Sequence, residues 1–262
     1  MFGHTLNYEN AFYIGGQKVV GLEDLNIAYS NSSKVLNPLG FERGIMLSNA
    51  PTEQKVSLSR HLTFSDPILG YTGGALMSGS IHYGANVYGF KSGILDEYMV
   101  NCAVGTIPKV GTNFTVYDEM VVDANASGST ATPSIYIPDQ GSISIVCDNY
   151  TTNRVVGFDL TISRSNMPIY KIGDKLPSEI VSTLPLSYSA TVQIDVDDAV
   201  LANAWNFLEN KSDKQVSLTV KSKDKTQTIL SLNLPNPSLV SESLSSNADG
   251  GVKLVLNYIG HS

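Results

Sequence analysis

The chain has 262 residues, 42% of them hydrophobic and only 16% charged, with Ser, Thr, Asn and Gly supplying much of the polar remainder. That balance suits β-sheet better than helix, which draws on Glu, Lys and Ala. Seventeen basic residues against 24 acidic ones give a formal charge of -7, shared as 7 basic to 10 acidic over residues 1–122 and 10 to 14 over 123–262. With no basic run and no Arg-aromatic platform, a protein that grips nucleic acid by its phosphates is not expected. The N-terminus lacks a charged and apolar leader pattern, and no window nears the roughly 18 apolar residues of a membrane span. Synthesis in a cytoplasm without a membrane anchor is the expectation.

Residues 1–18 alternate polar and aromatic and read as an arm or edge strand ending at Gly15-Gly16. From Val19 the pattern becomes that of a half-buried strand, with Leu25, Ile27 and Tyr29 against Asn26, Ala28 and Ser30. A long connection follows over residues 31–51, carrying Pro38, Gly40 and the apolar Leu39, Phe41, Ile45, Met46 and Leu47. Connections of that length in compact domains tend to be functional. The next strand puts Val56, Leu58, Leu62 and Phe64 on one face. Arg60 interrupts that face, so it snorkels or pairs with a carboxylate. A glycine-rich run over residues 70–84 has no Lys-Ser/Thr after it and reads as turns leading into a hairpin at 80–90, with strands at 94–104 and 112–118 beyond.

Residues 123–132, DANASGSTAT, are the one low-complexity piece and mark a linker over 123–133. The Ile135/Ile137 and Ile143/Ile145 pairs then predict a hairpin over 134–147. From Val155 the first pattern returns 136 residues later: Val155-Val156-Gly157 answers Val19-Val20-Gly21, and Leu160-Thr161-Ile162 answers Leu25-Asn26-Ile27. Gly173 answers Gly40, Pro185 answers Pro51 and Asp197 answers Asp66. A repeat of that period makes two tandem domains, 1–122 and 134–262, each with its own core. In the second copy Ala190, Val192, Ile194 and Val196 share a strand face. Asp197-Asp198 then cap a helix over 198–210, whose Val200, Leu201, Ala204, Trp205 and Leu208 form one apolar face. Its counterpart around residues 67–77 is short or irregular. Three closing strands centre on Leu218, Leu232 and Leu256. The fold class is therefore mainly β with minor α, two sandwich or curved-sheet domains each flanked by a helix.

Chemistry is hard to find in these residues. The four histidines have no metal-ligand spacing, and Cys102 and Cys147 match no metal or redox motif and read as buried thiols. Asp195, Asp197 and Asp198 lack the glycine and distal Glu of a calcium loop. Asp96-Glu97 reads as a solvated turn rather than half of a glycosidase pair. No catalytic, cofactor or metal site is expected.

The order of these events, closing with Ser-Asn-Ala-Asp-Gly-Gly-Val-Lys-Leu-Val-Leu-Asn-Tyr at residues 246–258 and more loosely at 101–118, resembles the tail tube proteins of long-tailed bacteriophages. The resemblance covers nearly the whole chain twice. It implies a virion protein whose sheets join side by side into an inner β-barrel with helices outside, in rings that stack into a conduit for DNA ejection. Three tandem pairs would close a trimer of pseudo-sixfold symmetry where six single domains make a hexamer. Its partners would be further copies of itself, the tape measure, terminator and baseplate proteins, and double-stranded DNA passing without specific binding. The resemblance makes the polar strand positions Ser57, Ser59, Thr63, Thr191, Gln193 and Asp195 the candidates for lining the lumen. The long connections supply inter-ring contacts, with Leu39, Phe41, Ile45, Met46, Ile169, Tyr170 and Ile172 as candidates. The alternatives are a baseplate hub or distal-tail ring of the same fold, or a carbohydrate-binding β-sandwich of a tail fibre.

Overall fold

The computed structural model describes residues 10–31, 34–36, 39, 45–47, 52–63, 65–122, 134–147, 154–196, 215–246 and 251–262. The fold is mainly β, as composition and alternation dictate. In the first half the strands are β1 (Ala11–Ile14), β2 (Gln17–Val19), β3 (Leu22–Asn31), β4 (Lys34–Leu36), β5 (Ile45–Leu47), β6 (Thr52–His61), β7 (Met77–Tyr83), β8 (Asn86–Ala103), β9 (Lys109–Val116) and β10 (Val121–Val122). The second half has β11 (Ile143–Cys147), β12 (Val155–Ser163), β13 (Asn166–Ile169), β14 (Glu179–Ser182), β15 (Ser187–Asp195), β16 (Val216–Lys221), β17 (Thr228–Asn233), β18 (Ser238–Ser246) and β19 (Val252–His261). The expected helix at 198–210 and the linker at 123–133 lie outside the described residues. The irregular counterpart near residue 70 is a single 3-10 turn, Leu69–Tyr71.

Strand pairing runs β3-β6-β9-β8-β12-β15-β19-β18, and every pair is antiparallel. The first four strands and the last four follow one order of roles. In each half an opening strand and its hairpin partner are followed in the sheet by the last long strand of that half, β9 or β19, and then by the strand that precedes it in sequence, β8 or β18. The second layer also repeats. β7 pairs β1 and the N-terminal part of β8, while β16 pairs β11 and β17. What is one strand of 18 residues in the first half, β8, is two in the second, because Pro235 and Pro237 stand between β17 and β18 and remove backbone donors there.

β8 can belong to both layers because it is bent. Its pairing slips between Leu95 and Glu97, and the β7 pairing slips between Met77 and Gly79. Bulges of this kind turn a strand. Glycines make the room: a Cβ on Gly79 would meet the Tyr13 carbonyl oxygen at 2.3 Å and the Phe90 ring at 2.8 Å. Under that bend Phe90, Phe12 and Phe114 pack together, with ring centroids 5.6–6.2 Å apart.

Several expectations are corrected. Residues 134–147 are not a hairpin: only β11 is strand, it pairs β16, and Ile135 and Ile137 are exposed while Tyr136 packs on the core and its N–H donates to Thr63. Asp96 and Glu97 are not a solvated turn but the bulge of β8. Four strands close the chain rather than three, since the serine-rich β18 has only Leu239, Glu242 and Leu244 turned inward and so gives no clear alternation. Separate cores are replaced by one contiguous core running from Phe12 and Val56 through Val100, Cys102 and Phe158 to Leu256. The physical cause is the β8–β12 pairing, which carries the sheet across the joint without a gap.

Candidate functional site: the joined sheet, its polar face and its open edges

One face of the eight-strand sheet is core. The other is built of the alternate residues, and it is polar and threaded with side-chain hydrogen bonds. Across the joint the Asn101 amide donates to Asp159. Asn113 donates to Glu97 at 2.7 Å and Thr115 to Asp96 at 2.6 Å. In the second half Thr191 donates to Asn257, which donates to Ser241, both at 2.8 Å. Lys109 and His61 both reach Glu23, at 2.9 and 2.8 Å. The Lys109 hydrogen bond, chiefly, with the charges of His61 and Lys109, holds the Glu23 carboxyl below its usual range against the opposing effect of desolvation.

The asparagines reveal how the halves correspond. Asn113 to Glu97 and Asn257 to Ser241 are the same contact, each beside a bulge, at Leu95/Glu97 in β8 and at Leu239/Ser241 in β18. A further matching pair of bulges, Leu22/Asp24 in β3 and Val155/Gly157 in β12, fixes the opening strands. Leu25 then corresponds to Phe158, Ile27 to Leu160 and Tyr29 to Ile162. The sequence repeat had set Leu25 against Leu160, two residues away. A slip of two keeps every side chain on its own face, so alternation alone cannot detect it.

The candidate lumen residues can now be placed. Ser57 and Ser59 on β6 and Thr191, Gln193 and Asp195 on β15 all lie on the polar face, half-buried among their neighbours. Thr63 does not join them: β6 ends at His61, and Thr63 is 9% exposed, beneath the turn at Gly21.

Both opening hairpins carry a two-strand ribbon at the same end of the sheet, β4–β5 between β3 and β6, and β13–β14 between β12 and β15. Polar bonds root the second ribbon on the joint. Arg164 N–H donates to the Asp96 carbonyl at 2.8 Å and the Asn166 amide to the Asp96 carboxylate at 2.9 Å. Its outer face exposes Met167, Ile169 and Val181, with Ile172 and Leu176 toward the tip. Among the inter-ring candidates, Leu39, Ile169 and Ile172 are exposed. Tyr170 is not: its hydroxyl is buried, and burial followed by the Glu53 charge raises its pKa. Ile45 and Met46 are on β5, Phe41 lies outside the described residues, and the side chains of all three are undescribed.

Sequence reasoning missed the importance of the two outer edges. β3 pairs only β6, and β18 only β19, among the described residues. On β3 the core-side residues are incompletely covered: Tyr29 is 62% exposed, while its counterpart Ile162 is 5% exposed. An exposed tyrosine continuing the Leu25, Ile27 alternation was the available signal.

Elsewhere the chemistry is structural. Arg60 and Asp66, 3% and 1% exposed, form a buried ion pair, and the Tyr98 hydroxyl donates to the same carboxylate at 2.5 Å. This answers the sequence question about Arg60 and pins the segment after β6 onto β8. Both cysteines are buried and neither forms a disulfide; the Cys147 thiol lies 2.9 Å from the Tyr258 hydroxyl. Among the described residues no three His, Cys, Asp or Glu side chains group as metal ligands, and no helix is long and apolar enough to cross a membrane. Neither the models of known protein families nor the curated proteins give a match to this sequence.

Proposed function

We propose that the chain is a virion structural subunit with two tandem tail-tube-like domains, closing edge to edge into rings that stack as a phage tail tube. One observation carries the reading. Within a single chain two four-strand units of the same order are already joined by antiparallel pairing of β8 with β12, and the outer strands β3 and β18 have no further strand partner among the described residues. Open edges invite pairing with another chain, and closing a circle uses them up. Three copies contribute 24 strands. At about 4.8 Å per strand the circumference is about 115 Å and the backbone diameter about 37 Å before strand tilt widens it.

The polar face then lines the channel. Asp24, Glu53, Glu97, Asp159 and Asp195 outnumber Lys55, Lys109 and Lys253 on it, which suits a wall that lets a polyanion pass without holding it. The ribbons at one end present apolar side chains that a stacked ring would cover. No catalytic step, cofactor or membrane anchor enters this reading. Tape measure, terminator and baseplate proteins are the further partners it implies.

Electron microscopy of the purified chain at rising concentration tests it. Rings with a central channel and threefold or pseudo-sixfold symmetry are expected, stacking at high concentration. A monodisperse monomer in light scattering at the highest soluble concentration would overturn the assignment.

A further inference from the structure

We infer that β18 of one copy pairs antiparallel with β3 of the next in the register of the chain's own β8–β12 joint, setting Asn26 opposite Ser245, Ile27 opposite Leu244 and Tyr29 opposite Glu242. The inference takes its partner, a second copy, from the ring reading and adds a register and an anchor residue.

The internal joint is the template. There Arg164 N–H donates to the Asp96 carbonyl and Val104 N–H to the Val156 carbonyl, at 2.8 and 3.0 Å. Antiparallel pairs alternate between those that exchange backbone bonds and those that do not. Phe158 with Cys102, Leu160 with Val100 and Ile162 with Tyr98 are therefore bonded pairs, and Asp159 with Asn101 is a non-bonded pair whose side chains approach closely. The bulge correspondence carries each of these to an outer edge. Asp159 becomes Asn26 and Asn101 becomes Ser245; Leu160 becomes Ile27 and Val100 becomes Leu244; Ile162 becomes Tyr29 and Tyr98 becomes Glu242.

Both edges turn outward the backbone groups of Ile27, Tyr29, Glu242 and Leu244 that this register uses. On the β18 side, Val196 N–H donates to the Val252 carbonyl, so even-numbered residues of β19 bond β15 and odd-numbered ones bond β18. That leaves the backbone groups of Glu242 and Leu244 pointing outward. On the β3 side, the Leu25 carbonyl accepts from the Tyr83 hydroxyl at 3.2 Å, marking that residue's backbone as turned away from β6. Ile27 and Tyr29, two and four residues on, point the same way. Exposure agrees: Phe158, Leu160 and Ile162 are 1%, 3% and 5% exposed beneath β8, whereas Leu25 and Ile27 are half-buried and Tyr29 stands open.

Cysteine pairs read the register directly. Asn26 and Ser245 are exposed positions at opposite borders of eight strands, roughly 30 Å apart within one chain. A disulfide needs Cα atoms closer than about 7 Å, so any bond must join two copies. Asn26→Cys with Ser245→Cys, and independently Ala28→Cys with Ser243→Cys, should give covalent trimers on mild oxidation, while Asn26→Cys with Ser243→Cys gives none. Wild-type protein, whose Cys102 and Cys147 are buried, is the control. Rings in the microscope with both matched pairs unlinked, or with only the mismatched pair linked, would overturn the register and leave the ring reading intact. Matched pairs that link into open chains would uphold the register and overturn the closed ring. Failure to associate at all would overturn both.

Discussion

Replacing Tyr29 by alanine separates assembly from folding. In a single copy the side chain is 62% exposed, and at the joint it takes the place of Ile162, which is 5% exposed. A tyrosine has about 200 Å² to bury, so closing the edge over it removes on the order of 100 Å² from water. At about 25 cal/mol per Å² that contributes about 2.5 kcal/mol per joint, roughly 60-fold in the association constant. A closed ring of three copies has three such joints, so its midpoint concentration scales as the joint factor to the power 3/2, and sedimentation velocity across a dilution series should show the midpoint moving upward by roughly 500-fold. Urea unfolding of the isolated chain should change by under about 0.5 kcal/mol, as for other exposed sites. An unmoved midpoint would refute the argument, and so would a loss of some 2 kcal/mol in the monomer, since Tyr29 would then be holding its own chain together.

Two further predictions concern the core. Asp66→Asn leaves the Arg60 guanidinium buried without a counter-charge, and urea denaturation should show a loss of about 3–5 kcal/mol, most of it restored by pairing Arg60→Met with Asp66→Leu; a cost under about 1 kcal/mol would mean that water reaches the pair. Burial, with Asp159 nearby, pushes the Cys102 thiol up from 9.0 to about 12. A folded-state pKa above the unfolded one means this contribution is complete below pH 9 and lost as pH rises from 9 toward 12. Cys102→Val should therefore flatten the fall of unfolding free energy over that range, and an unchanged slope would exclude the thiol as its source.

Much of the fold was legible in the residues. Val56/Leu58, Val192/Ile194 and Leu254/Leu256 announce strands by their period, and a strand ending at Gly15-Gly16 was read without coordinates. The repeat's register was not, because Leu25 can slide by two positions without changing face. β18 escaped notice since an edge strand needs few apolar residues, and the 134–147 segment misled because Ile135 and Ile137 alternate yet face solvent. Of the candidate site, the polar faces of β6 and β15 were read from alternation. The joint was not, because nothing local to β8 names β12 as its neighbour.

The sequence by itself determined that the chain is β-rich and mildly acidic, and it set the stretch from Val155 beside the stretch from Val19 as two editions of one pattern, since composition and periodicity act residue by residue. Only the tertiary structure decided that the two editions share one sheet, which faces line up across it, and that Tyr29 is left uncovered. Strand pairing is a contact between residues dozens of positions apart, selected by the closing of the whole core around them, and no short stretch of chain encodes it alone.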